Sequence, residues 1–88
     1  MLRVELWEYA SPGVRKEVGT IEYQGVIIEN AHGGRRIPHD REGKPIPFSY
    51  FCQPADLVPQ EDILQIAAEI GRRMTAGRVG DYNWTRVS

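Results

Sequence analysis

The stretch from Pro59 to Ala76, PQEDILQIAAEIGRRMTA, constrains the chain most, because its apolar residues follow a helical period. Ile63, Ile66, Ala67, Ile70 and Met74 recur at the three- and four-residue spacing of one helix face. Pro59 suits the first helical position, where a missing amide proton costs nothing. Glu61 and Asp62 near the start and Arg72 and Arg73 near the end complement the helix dipole. Gly77 then offers a left-handed terminating residue, and Leu57 and Val58 can fold over the first turn. Ala67, Ala68 and Gly71 leave a notch where another element can approach closely. The spacing predicts one helix over 59–76 that buries its stripe in the protein's own core.

The rest of the chain alternates or turns. Leu2, Val4 and Leu6 interleave with Arg3, Glu5 and Trp7, the pattern of a half-buried strand. Ser11-Pro12-Gly13 marks a turn, with Arg15, Lys16 and Glu17 read as its solvated connection. A second strand is expected over 18–23, continuing through or turning at Gln24-Gly25 toward Val26, Ile27 and Ile28. Ile46 to Cys52 reads as a further strand, with Ile46, Phe48, Tyr50 and Cys52 on one face and Ser49 and Phe51 on the other. Pro47 cannot donate to a ladder, so that strand is expected either to start at an edge or to begin its pairing after Pro47. The tail after Gly77 carries Val79, Tyr82, Trp84 and Val87, so it is expected to be ordered, either as a strand or packed across the sheet.

These elements define an α+β fold: a small antiparallel sheet of three to five strands with one helix packed on one face. Its 88 residues suit one domain, 1–88. The helix is expected to cover Leu2, Val4, Leu6 and Phe48, together with Ile21 or Val26. Trp7, Tyr9 and Phe51 would then point to the uncovered face, where bare aromatics ask for a cover: the C-terminal tail, a second copy of the chain or a ligand.

Composition narrows the function. A net charge of -1 favours neither nucleic acid nor an anionic membrane. The single cysteine, Cys52, excludes an internal disulfide and fits a reducing compartment. No apolar run approaches the ~20 residues needed to span a bilayer, and the start is not a signal peptide, so a soluble, cytoplasmic protein is expected.

The polar stretch His32 to Lys44 holds the densest functional side chains: His32, Arg35, Arg36, His39, Arg41 and Lys44, against Asp40 and Glu42. Arginine forks on a glycine-rich backbone would suit phosphate or carboxylate, whereas a solvated loop with local ion pairs explains the same residues without a ligand. His32, His39, Asp40 and Cys52 match no zinc spacing, so no metal and no cofactor are expected.

The expected role is that of a non-catalytic protein-interaction or regulatory domain, binding a protein partner or a second copy of itself. Its contact surface would combine Trp7 and Tyr9 with His32, Arg35, Arg36, His39, Arg41 and Lys44. The alternative is a single-stranded nucleic-acid-binding module using the same sheet face and the arginine hairpin. A small enzyme using Cys52 and His39 comes third, because a cysteine in apolar alternation packs as a small hydrophobe.

Overall fold

A computed structural model describes residues 2–25, 42 and 48–88 of the chain. The elements run β1 (Leu2–Ser11), β2 (Val14–Gly25), β3 (Phe48–Gln53), α1 (Gln60–Gly71), β4 (Ala76–Val79) and β5 (Tyr82–Arg86). The strands form one antiparallel sheet in the order β3-β2-β1-β5-β4, and α1 packs on one face. This is the α+β architecture that the sequence predicts, at the upper end of its strand count. The expected segments 26–28 and, apart from Glu42, 30–45, including His32, Arg35, Arg36, His39, Arg41 and Lys44, lie outside the described residues, as do Ile46 and Pro47 of the expected third strand.

The core forms between the helix and one sheet face. Val4, Leu6, Ile21, Tyr23, Cys52 and Trp84 from the sheet meet Ile63, Ile66, Ala67 and Ile70 from α1, with Val58 and Val79 completing the cluster. Each fully buried isoleucine contributes about 1.5–3 kcal/mol relative to leaving it in water. Val58 precedes the helix and Ile63 lies in its first turns, so both ends of the predicted staple are in the core.

The helix is shorter than its sequence suggests. It ends at Gly71 rather than Ala76, and Pro59 is its N-cap rather than its first residue. Arg72 is the C-cap, so no basic residue occupies the last turn. The left-handed terminator is Arg73, with φ at 65°, and not Gly77. The Arg73 amide donates to Ile70 O at 2.8 Å and the Met74 amide to Glu69 O at 3.0 Å. These two bonds are a Schellman closure, which satisfies the helix's last carbonyls. Met74 then packs beside the core, and the chain departs into β4.

Gly77 serves a different purpose. It pairs with Trp84 across β4 and β5, and a Cβ on it would sit 2.6 Å from the Trp84 indole nitrogen. The bare backbone is what lets the indole approach the neighbouring strand so closely. The tail is therefore a hairpin turning at Gly80-Asp81, and Trp84 is wholly buried on the helix side. The alternative of a tail packed across the open face is excluded for these residues.

The second strand is longer than expected, because Arg15, Lys16 and Glu17 belong to it. Pro12-Gly13 makes a tight turn, with Gly13 at φ 77°, as the third position of a type II turn requires. Between Leu6↔Gly19 and Trp7↔Glu17 the register slips, leaving Val18 as the extra residue of a β-bulge. The bulge reverses the phase of β2. Beyond it Gly19, Ile21 and Tyr23 point to the helix; before it Arg15 and Glu17 share the face of Trp7.

Candidate functional site: the open sheet face

The face opposite α1 is built by alternation, since each buried residue of β1 forces its neighbour outward. Its rows follow from the register. Arg3 pairs with Glu22, which pairs with Phe51. Glu5 lies between Thr20 and Thr85, and Trp7 between Glu17 and Asn83. Tyr9 pairs with Arg15 at the end nearest the β1–β2 turn.

The centre of the site is Trp7. Its indole N–H donates to Thr85 Oγ1 at 3.0 Å, which fixes the ring on β5. Tyr9 meets it edge-on, with centroids 5.2 Å apart and planes at 89°, the geometry that ring quadrupoles favour. The Arg15 guanidinium lies over the indole, 4.0 Å from the ring centroid, a cation–π contact. Trp7 is half-buried, whereas Tyr9 is 59% and Phe51 57% exposed. Trp7, Tyr9, Arg15 and Thr85 form a connected aromatic and cationic platform, and Phe51 lies apart from it in the row of Arg3 and Glu22.

Among the described residues, charge on this face is balanced. Arg3, Arg15 and Arg78 stand against Glu5, Glu17 and Glu22, as the register and alternation place them. A backbone-gripping nucleic-acid surface would carry a basic excess instead.

Of the sequence-predicted site residues, Trp7 and Tyr9 lie together here; the six from His32 to Lys44 fall outside the described residues. Arg15 and Thr85 belong to the platform and were not expected. Arg15 reads as turn sequence until the bulge is known, and Thr85 gains its role only when β5 pairs with β1.

Cys52 lies elsewhere, on the helix side of β3, 5% exposed, with its thiol donating to Pro54 O at 3.3 Å. Burial pushes the thiol's pKa up, a hydrogen bond with the Val58 backbone opposes this, and Asp56 adds to the rise. Such a thiol is a poor nucleophile at neutral pH. Among the described residues no cluster of three or more His, Cys, Asp and Glu could hold a metal ion. No helix among them is long and apolar enough to cross a membrane.

The fold and site thus define a class: a small α+β domain with a helix-covered core face and an aromatic open face. Comparison with protein families, curated proteins and solved structures finds no significant match to this chain.

Proposed function

We propose that this protein is a non-catalytic interaction domain that docks a protein partner on the open sheet face around Trp7, Tyr9 and Arg15. The observation that carries this reading is the Trp7–Tyr9–Arg15 platform, held by a hydrogen bond to Thr85 yet uncovered by α1. Tryptophan, tyrosine and arginine are the side chains that dominate protein interfaces; the two aromatics give large contact area for little lost entropy, and Arg15 is already held over the Trp7 ring. Balanced charge on the face supports a protein partner over a polyanion. The packed thiol of Cys52 supports a non-catalytic role.

The test is affinity capture from native lysate with the tagged chain beside its Tyr9→Ala and Arg15→Ala variants, with and without nuclease. A protein held by the wild type in both treatments and lost from both variants supports the reading. Capture that vanishes with nuclease favours single-stranded nucleic-acid binding by the same aromatics, and capture indifferent to both substitutions overturns the site.

A further inference from the structure

We infer that the partner for the open face is a second copy of this chain, docked face to face about a two-fold axis running across the strands. The inference rests on the docking reading above and is argued from the order of charges along the face.

Consider the rows from one end of the sheet to the other: Arg3 with Glu22, then Glu5 with Thr20, then Trp7 with Glu17, then Tyr9 with Arg15. An axis between the Glu5 row and the Trp7 row exchanges the two ends. On β2 it sets Arg15 against Glu22 of the partner subunit, and Glu22 against Arg15 of the partner subunit. On β1 it sets Tyr9 against Arg3 of the partner subunit, which offers a cation to an exposed ring. An isologous interface makes each contact twice, so two ion pairs and two cation–ring contacts form together.

The competing axis, along β1, fails on the same charges. It would lay Arg3 over Arg3 of the partner subunit, and like charges placed together weigh strongly against a complex. Packed sheets keep their strands within about 30° of each other at about 10 Å separation, and an axis across the strands lays β1 over β1 and β2 over β2 of the partner subunit in that way. The pairing also covers Tyr9, 59% exposed in the single chain. A net charge of -1 leaves little repulsion between copies.

Sedimentation velocity of the full chain over a concentration series tests the proposal, using wild type, Arg15→Glu, Glu22→Arg and an equimolar mixture of the two variants. The wild type should dimerise, and each variant alone should dimerise at least about tenfold more weakly, because every exchanged pair becomes like-charged. The mixture should recover dimer, since the heterodimer restores both opposite-charge pairs. Circular dichroism confirms folding of each variant, and Glu22→Gln serves as the milder substitution if Glu22→Arg unfolds. A wild type monomeric throughout, or a mixture no better than its components, overturns the proposal. If the wild type is monomeric while Tyr9→Ala still abolishes capture of another protein, the docking face stands and self-association alone fails.

Discussion

The indole N–H of Trp84 donates to Glu69 Oε2 at 3.0 Å, joining the last strand to the helix through a buried carboxylate. Glu69 is only 9% exposed, and Gln65 Nε2 also reaches it, donating to Oε1 at 3.5 Å. Arg72 Nη2 lies 4.0 Å from the same oxygen. A buried indole needs an acceptor, and a buried carboxylate needs donors; each residue answers the other's requirement.

Replacing Glu69 therefore exposes that dependence. Glu69→Leu leaves the Trp84 N–H buried without a partner and should cost about 1–3 kcal/mol, read as a lower urea midpoint. Glu69→Gln keeps an acceptor oxygen and should lose less. Equal losses for the two variants would show that the hydrogen bond contributes nothing.

Gly77→Ala places a methyl against the Trp84 indole, 2.6 Å from its nitrogen. The ring must shift, and overpacking of this kind costs about 1–3 kcal/mol. Thermal unfolding should begin earlier, with the tryptophan emission changed in the folded state. An unaltered melting curve would contradict the close approach.

Arg73→Gly should stabilise the protein. Arg73 holds φ at 65°, a conformation that strains a side-chain-bearing residue and suits glycine. Relief of that strain, less the greater flexibility of glycine in the unfolded chain, should yield about 0.5–1 kcal/mol. A lower urea midpoint would show that the Arg73 side chain holds something the backbone argument omits.

Alkaline pH should unfold the protein through Tyr23. Its hydroxyl donates to Ile63 O at 2.7 Å, and burial pushes the phenol's pKa far above its ordinary value of 10.0, with Cys52, Glu69 and Tyr50 adding to the rise. A raised folded-state pKa stabilises the protonated form. That stability is fully present below pH 10.0 and is lost as pH climbs above it toward the folded-state value. Tyr23→Phe should flatten the alkaline limb of a stability–pH profile; an unchanged limb would assign it to other groups.

Cys52 should label with a thiol reagent at neutral pH only as fast as the protein opens, because its thiol is buried and its pKa raised. Added denaturant should accelerate labelling in step with unfolding. Rapid labelling of the fully folded chain would reopen a nucleophilic role.

Much of the fold is legible in local pattern. The alternation of Leu2, Val4 and Leu6 assigns β1 its two faces, and Phe48 and Cys52 against Phe51 do the same for β3. The isoleucines of α1 announce the covered side. From these, Trp7, Tyr9 and Phe51 fall to the open face by parity alone, so both aromatics of the platform follow from period two, and its other two residues, Arg15 and Thr85, do not. The errors all arise where a distant partner changes a local preference. Gly77 has the composition of a helix cap, but Trp84 claims it as the floor for its indole, and Arg73 takes the left-handed position instead. Arg15 to Glu17 have the composition of a connection, but pairing with Trp7, Glu8 and Tyr9 makes them strand.

Local order alone sets the helix, β1 and β3 and the buried face of each, because periods of 3.6 and 2 are written into the order of apolar residues. Tertiary structure alone decided the bulge at Val18, the burial of Glu69 and the siting of Arg15 over Trp7. Each depends on which strand lies beside which, and on one register among several that local preference permits. That choice is settled by Trp84 finding its acceptor and by the core closing, and these are properties of the whole chain folded at once.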